Sequence, residues 1–311
     1  MNPEKAIFFL NNYSGKHHVK FNFDSKDIKI TVDKNVQEEI SKQKDEIQIS
    51  ELEISGQDTE KVYLNIAIDI KNLLSLAMGR RVTFDKQEYS YSGKPKVTLK
   101  KMSKNSNYGY QIIPDYLISE YLKQTLPYWS TLTKSEKDAL FVIFDYLNQT
   151  REDFIEDRVL RTVQAWECFG YYFYESIKLL EKYSTLKSQI KSTFKKWKKE
   201  VGFNDNGELN NRILNAIDQE KLMTKYDKII EDSQLDINSI NLDFRGLKSL
   251  RDKVAHTGKI DVNSQKAYEL LQPGVFGLQL VLLKRLGYND LVYGSKDNFR
   301  TTEKFETYFK T

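Results

Sequence analysis

The chain has 311 residues, of which 40% are hydrophobic and 13% aromatic, a composition that excludes a disordered chain and allows a sizeable core. Its 48 basic and 44 acidic residues leave a net charge of +4, which excludes a surface that is basic throughout, so an anion-binding site must be local. The single cysteine, Cys168, excludes an internal disulfide or a zinc site made of several cysteines. Because no apolar run is long enough for a signal peptide or a membrane span, we expect a cytoplasmic protein without a membrane segment.

The first part of the chain has the pattern of β-strands. Apolar and polar residues alternate in several short runs, a period of two that is typical of half-buried strands. A short helix is expected over 73–78, because Gly79 follows it as a C-terminal glycine. Residues 1–128 are therefore predicted to form a β-rich domain. The predicted strands are 19–23, 28–32, 47–49, 62–68, 81–91 and 96–101.

After Pro127 the apolar residues recur at the spacing of α-helices. Thr133 and Glu136 match a capping box at the start of the first of these helices. The predicted helices are 133–148, 152–183, 187–200, 208–231, 240–256 and 263–286.

These patterns predict an α+β fold in which the β-rich domain is followed by an all-α helical bundle over residues 133–287. The pair Pro273-Gly274 is expected to break or kink the last helix. Residues 288–311 are expected to form a polar C-terminal tail with weak strand character.

The most informative segment is the predicted helix that ends at His256. At 100° per residue, Arg251 falls inside an apolar arc, where a charged side chain needs a partner or a solvated cavity. A second, polar stripe places Asp252 one turn before His256, close enough to orient the imidazole or to favour its protonated form. The apolar arc comprises Phe244, Leu247, Leu250, Val254 and Ala255, and the polar stripe comprises Arg245, Ser249, Asp252 and His256.

A guanidinium close to an imidazole suits the cleavage of a phosphodiester. Arginine holds a phosphate in a forked grip, and histidine moves protons near neutral pH. Arg251, Asp252 and His256 are therefore candidate catalytic residues, with Arg245 and Lys253 as candidate RNA contacts. The spacing alone also fits a structural interpretation, in which His256 caps the helix and Arg251 extends its charge from an apolar surface into water.

The run Arg-Asp-Lys-Val-Ala-His from Arg251 to His256 resembles the signature of HEPN domains, which lies near the end of a late helix in a bundle. The run Gln-Ala-Trp-Glu from Gln164 to Glu167 resembles an element on the first long helix of the ApeA-like branch of that superfamily. Residues 282–287, Leu-Leu-Lys-Arg-Leu-Gly, resemble the closing helix of the same branch.

The resemblance covers roughly residues 150–290, and a β-rich N-terminal domain also fits the branch. It implies a metal-independent endoribonuclease of antiviral or abortive-infection defence, which needs no cofactor and acts as a homodimer with two motifs across one cleft. It also implies that the N-terminal domain senses a trigger, for example a phage-derived component, or regulates the ribonuclease. The alternative is a non-catalytic HEPN module that uses the same cationic patch to bind RNA or a nucleotide, or to sense a phage component.

Glu167 lies at the edge of an apolar face of its predicted helix. A carboxylate in that position needs a cation, and Arg251 is the candidate, which would make Glu167 a supporting residue of the site. The alternative is a Glu167 that pairs with a nearby lysine or is simply solvated.

The predicted helix over 187–200 is basic, and its Lys195 and Lys198 are candidate RNA contacts in an electrostatic funnel. The alternative is an amphipathic helix whose apolar stripe packs inward and whose lysines are solvated. His17 and His18 are expected on the surface of a turn rather than as metal ligands, and we recognise no metal-binding motif.

Overall fold

The computed structural model describes residues 2–13, 17–32, 48–92, 94–99, 111–148, 154–174, 180–202, 222–260, 262–294 and 301–310. Over these residues an antiparallel β-sheet is followed by a series of α-helices, so the predicted α+β class is confirmed. One continuous apolar core runs from the sheet into the helices. Every helix in this part of the chain is too short or too polar to cross a membrane.

Six antiparallel strands form the N-terminal sheet. They are β1 (Lys5–Asn11), β2 (Val19–Phe23), β3 (Lys26–Val32), β4 (Gln48–Ser55), β5 (Thr83–Tyr91) and β6 (Lys94–Leu99). Their order across the sheet is β2-β3-β4-β1-β5-β6, with every neighbouring pair antiparallel. In β3 the alternation predicted for a half-buried strand is present, since Ile28 and Ile30 are buried while Asp27 and Lys29 are exposed. β1 is an addition to the predicted strands; it lacks alternation because the side chains of its second half, from Phe8 to Asn11, are all buried.

The predicted strand over 62–68 is wrong, because these residues belong to helix α1 (Glu60–Met78). The side chain of Thr59 accepts the backbone N–H of Val62 and caps the first turn, and Gly79 ends the helix in the left-handed conformation. The match to a period of two covers only a short window, whereas the buried residues of the whole helix recur at helical spacing. These buried residues include Ile66, Ala67, Ile70, Leu73, Leu74 and Ala77.

Further helices complete the fold. They are α2 (Ile118–Thr131), α3 (Lys134–Asn148), α4 (Ile155–Phe173), α5 (Leu180–Val201), α6 (Leu222–Ser233), α7 (Phe244–Thr257) and α8 (Ser264–Arg285). The predicted capping box of α3 is confirmed: the backbone N–H of Glu136 donates to Thr133 Oγ1 at 3.3 Å, and that of Thr133 donates to Glu136 Oε2 at 2.9 Å. The predicted single helix over 152–183 is wrong, because α4 ends at Phe173, Tyr174 is extended, and Leu180 belongs to α5. The predicted helix over 208–231 lies partly outside the described residues.

Pro127 lies inside α2, although the sequence places a change of pattern after this residue. The helix was not predicted, and it is tied to the sheet and to α1. Ser119 Oγ donates to the carbonyl of Lys20 in β2 at 3.3 Å, and the indole N–H of Trp129 donates to Asp69 of α1 at 2.8 Å. α2 therefore joins β2 to α1.

The predicted break at Pro273-Gly274 is also wrong, because α8 is continuous through both residues. A proline removes one backbone donor from a helix, but tertiary contacts at this level hold α8 in place. The carbonyl of Gly274 accepts the indole N–H of Trp166 in α4 at 2.9 Å. A Cβ at Gly274 would lie 2.5 Å from Cδ2 of Leu247 in α7, so the glycine permits the close approach of α7 and α8.

The segment predicted as a polar tail packs against the rest of the fold. Its predicted strand character is confirmed by β7 (Leu291–Tyr293) and β8 (Thr302–Lys304), which pair antiparallel. The segment is nevertheless not a solvated tail, because it contributes four buried aromatic or apolar side chains to the core. They are Tyr288, Val292, Phe305 and Tyr308.

Backbone hydrogen bonds fasten this C-terminal segment to two distant parts of the chain. The N–H of Tyr293 donates to the carbonyl of Ile112, which precedes α2, at 2.8 Å. The N–H of Lys310 donates to the carbonyl of Gln234, which follows α6, also at 2.8 Å. The segment is therefore hydrogen-bonded both to the residues before α2 and to the residues after α6.

We expect Gly274→Ala to lower the free energy of unfolding by about 1–3 kcal/mol, the usual cost of overfilling a packed core, because Leu247 is fully buried and cannot easily retreat. The higher helix propensity of alanine offsets about 1 kcal/mol of this cost. Denaturant titration measures the change. In a Leu247→Ala background the same substitution should cost little, and equal costs in the two backgrounds would contradict the close crossing.

Candidate functional site

Helix α7 carries the candidate motif. Asp243 caps its start by accepting the backbone N–H of Gly246 at 2.8 Å, and Gly258 ends it in the left-handed conformation at φ 71°. Residues 251–256 all lie on this helix, so the prediction that the motif shares one helix is confirmed. Ala255 is exposed, although the predicted apolar arc includes it. The buried residues of the arc are Phe244, Leu247, Leu250 and Val254.

The guanidinium of Arg251 makes two ion pairs. Its Nη2 contacts Oε1 of Glu167 in α4, and its Nη1 lies 3.0 Å from Oδ1 of Asp252. The predicted pairing of Arg251 with Glu167 is therefore confirmed. The side chain of Arg251 is 22% exposed, and its buried Nε has no hydrogen-bond partner among the described residues. The guanidinium is thus held from two sides at the rim of the bundle, rather than extended into water.

Asp252 contacts Arg251 and Lys248 rather than His256. Its Oδ2 lies 2.5 Å from Nζ of Lys248, one turn earlier in α7. The carboxylate therefore faces the N-terminal end of the helix, the direction in which helical side chains lean. Lys248, Arg251, Asp252 and Glu167 together form a charge cluster in which two cations balance two carboxylates.

His256 stands apart from the charge cluster. It is exposed in the last turn of α7 and makes no hydrogen bond or ion pair with any residue that the structure describes. Five residues of helix separate it from Arg251, which corresponds to about 7.5 Å along the axis and about 140° around it. The guanidinium and the imidazole of one chain are therefore not close together as the sequence suggested; they point to different sides of α7.

Packing of aromatic rings sets the position of Glu167 opposite α7. Trp166, its neighbour in α4, is fully buried and meets Phe244 edge to face with ring centres 5.4 Å apart. Tyr226 of α6 stacks on Phe244 with ring centres 4.0 Å apart. Gln164, the first residue of the same sequence element, is exposed. The run from Gln164 to Glu167 therefore combines a tryptophan in the core with a carboxylate that reaches the charge cluster.

The candidate RNA contacts lie on two helices. Arg245, on the predicted polar stripe, and Lys253 are both exposed on α7. Lys195 is exposed on α5, whereas Lys198 is partly buried, with its ammonium 5.2 Å from the centre of the Phe194 ring.

The apolar stripe of α5 does not join the core of the described residues. Phe194 and Trp197 stack on each other with ring centres 5.4 Å apart, and Trp197 and Val201 are 41% and 55% exposed. Lys195 and Trp197 are exposed, whereas Phe194 and Lys198 are partly buried, so both interpretations of this helix stay predictions.

Lys248 is the member of the charge cluster that the sequence analysis missed. A signal for it exists, because Lys248 precedes Asp252 by four residues, the spacing at which side chains of opposite charge meet on a helix.

The remaining histidines are remote from this chemistry. His17 and His18 are exposed beside β2, as predicted, and Nδ1 of His18 accepts the backbone N–H of Val32 at 3.4 Å. Within the described ranges, no three His, Cys, Asp or Glu side chains are grouped so that they could hold a metal ion.

Comparisons of the chain with protein-family models, with curated proteins and with solved structures found no match. The resemblance to HEPN domains therefore rests on the residues quoted for it, and the function has to be argued from the geometry of α4 and α7.

We expect a coupling free energy of about 1 kcal/mol between Glu167 and Arg251, from a double-mutant cycle with Glu167→Gln and Arg251→Met measured by denaturant unfolding. This value lies at the upper end for partly exposed pairs because Arg251 is only 22% exposed while Glu167 is 38% exposed.

The matched control is the ion pair of Lys134 and Asp138 on α3, whose side chains are 91% and 66% exposed. The same cycle there should give about 0.3–0.5 kcal/mol. Equal coupling at the two pairs would show that Arg251 is not held more firmly than a surface side chain.

Proposed function

We propose that the chain is a metal-independent endoribonuclease of the HEPN type. The observation that carries the proposal is the position of the Arg251 guanidinium, which Glu167 and Asp252 hold at the rim of the bundle. Arg251 shares helix α7 with the exposed His256. A fixed guanidinium is a preorganised binding group for a phosphate. An exposed imidazole is accessible to a bound substrate and can exchange protons with it.

In the proposed reaction the 2′-hydroxyl of RNA attacks the adjacent phosphorus, and the bond from phosphorus to the 5′-oxygen breaks. The products are a 2′,3′-cyclic phosphate and a 5′-hydroxyl. His256 acts as general base or general acid, and Arg251 stabilises the negative charge that develops on the phosphorane oxygens. The nucleophile belongs to the substrate, so the reaction needs no metal ion to activate a water molecule.

Phosphate binding requires an exchange of partners in the charge cluster. The two carboxylates already neutralise Arg251, so a phosphate has to displace one of them. Asp252 is the carboxylate suited to leave, because its other oxygen remains paired with Lys248. Glu167 then keeps the guanidinium in place. In this scheme Asp252 positions Arg251 before binding, and Glu167 supports it throughout.

The active unit in this proposal is a homodimer. In-line cleavage needs a base at the 2′-hydroxyl and an acid at the leaving 5′-oxygen, which lie on opposite sides of the phosphorus. One chain offers one imidazole at the motif, and its other two histidines lie beside the sheet. A two-fold interface brings identical patches together, so a second His256 would supply the missing group. It would also place an imidazole on the side of α7 that Arg251 faces.

Antiviral defence and a phage-derived trigger that acts on the N-terminal sheet belong to the proposal through the family resemblance alone, whereas the proposed cytoplasmic location rests on the pattern of apolar residues in the sequence. A second candidate function is a non-catalytic module that binds RNA. The observation that favours it is helix α5, on which Lys195 and the ring of Trp197 are both exposed. Cations that track a backbone, together with rings on which bases stack, are typical of single-stranded RNA binding without chemistry.

RNA cleavage in EDTA separates the two functions. We expect the protein to cut RNA and to leave 2′,3′-cyclic phosphate ends, identified by mass spectrometry. His256→Ala and Arg251→Ala should each lower the rate by about 100-fold or more, because general acid–base catalysis and charge stabilisation are worth that much. The matched control is His17→Ala, an exposed histidine beside the sheet, which should keep the wild-type rate. RNA that is bound but not cut would favour the non-catalytic module.

Heterodimers test whether the two chains share one site. A dimer of His256→Ala with Arg251→Ala subunits and a dimer of wild-type with doubly substituted subunits each contain one Arg251 and one His256. If the cleft needs both copies, the two heterodimers should be equally impaired. If each chain works alone, the second heterodimer should keep about half of the wild-type rate and the first almost none. A monomer that cuts RNA at the full rate would also refute the shared cleft.

A further inference from the structure

A cavity of about 590 Å³ opens at the C-terminal end of α8. Its walls come from α2, α4, α6 and α8, and they combine aromatic rings with charged groups. A cavity of this size suits a small organic ligand.

Aromatic side chains form one wall of this pocket. The ring centres of Phe169 and Phe173 are 5.1 Å apart, and those of Phe169 and Tyr174 are 5.8 Å apart. Burial raises the pKa of Tyr174, so its phenol is neutral at pH 7. Tyr128 of α2 is 42% exposed at the edge of the pocket. A planar ring can stack against such a wall.

Two cations line the pocket beside the rings. The guanidinium of Arg285 lies 4.2 Å from the centre of the Phe173 ring, and its buried Nε has no hydrogen-bond partner among the described residues. Oε1 of Glu136 forms a long ion pair with Nη2 of Arg285 at 3.9 Å, while Oε2 of Glu136 accepts the hydrogen bonds of the capping box of α3. Nζ of Lys284 donates to the carbonyl of Ser233 at 2.7 Å. Arg285 is therefore the group with donors to offer to a ligand.

We propose that this pocket binds a planar aromatic monoanion, a ring that carries one carboxylate. The ring stacks on the aromatic wall, and the carboxylate accepts hydrogen bonds from the planar guanidinium of Arg285. Asp232 also lines the pocket, so its negative charge offsets one of the charges of Lys284 and Arg285. Glu136, which does not line the pocket, pairs with Arg285 from outside it. The lining therefore holds at most one excess positive charge, which suits a single carboxylate better than a doubly charged phosphate ester.

The pocket is separate from the candidate RNA-cleaving site. Leu247 of α7 sits opposite Gly274 of α8, and Leu242, which precedes α7, sits opposite Gly277, so the two helices run antiparallel. Arg285 lies about 16 Å from Gly274 towards the C-terminal end of α8. Arg251 follows Leu247 on the antiparallel helix, so it lies on the opposite side of Gly274, towards the N-terminal end of α8. The proposal therefore does not depend on RNA cleavage.

Isothermal titration of the full chain with indole-3-acetate tests the proposal. Three further probes serve for comparison: indole lacks the charge, acetate lacks the ring, and adenosine monophosphate carries a phosphate in place of the carboxylate. We expect saturable binding of indole-3-acetate that is at least tenfold tighter than that of each of the three. Arg285→Met should weaken binding at least tenfold, and Arg285→Lys should weaken it less. The control is Lys134→Met on α3, where the lysine side chain is 91% exposed, and it should bind like wild type.

Tyr128→Ala provides a second variant at an exposed position, in case Arg285→Met fails to fold. Loss of this ring from the edge of the pocket should weaken binding of indole-3-acetate by about threefold to tenfold. The proposal is overturned if indole-3-acetate does not bind saturably, if indole or adenosine monophosphate binds as tightly, or if neither pocket variant changes the affinity.

Discussion

The close crossing of helices at Gly274 is the contact on which the candidate site depends. Because this residue has no side chain, Leu247 packs against the backbone of α8. The carbonyl of the same glycine accepts a hydrogen bond from the indole N–H of Trp166. One residue thereby fixes α4, α7 and α8 relative to one another. Glu167 follows Trp166, and Arg251 follows Leu247 by one turn, so the crossing sets the two charges opposite each other. Burial of the large apolar side chains contributes several kcal/mol, whereas a partly exposed ion pair contributes about 1 kcal/mol at most. The ion pair is therefore a product of the packing and not its cause.

Most of the fold follows from the period of the hydrophobic residues, and the errors have physical reasons. Strands with alternating residues, such as β2 and β3, and a helix with a capping box, such as α3, could be predicted, because their signals are local. Residues 62–68 match a strand only because a short stretch of an amphipathic helix can also show a period of two. Pro273 does not end its helix, because contacts made by Gly274 with two other helices outweigh the local cost. The C-terminal segment looks polar in sequence, and its four buried side chains are too widely spaced to give a periodic signal.

The candidate site was partly predictable for similar reasons. Arg251 and Glu167 each lie at the edge of an apolar arc, and a charge in that position needs a partner, so the sequence was sufficient to predict their pairing. The direction of Asp252 could not be predicted, because Lys248 and His256 are both four residues away from it and the sequence does not choose between them. The cavity at the end of α8 was also beyond sequence patterns, since its walls come from four helices.

The C-terminal segment also determines the order in which the chain can fold. Its bonds to Ile112 and Gln234 join residues that are far apart in sequence, and such contacts form late. During synthesis these contacts cannot form until β7 and β8 have left the ribosome, after α7. Until they form, Tyr288 and Phe305 are not yet buried. A nascent chain therefore carries the Arg251 motif before its fold is finished.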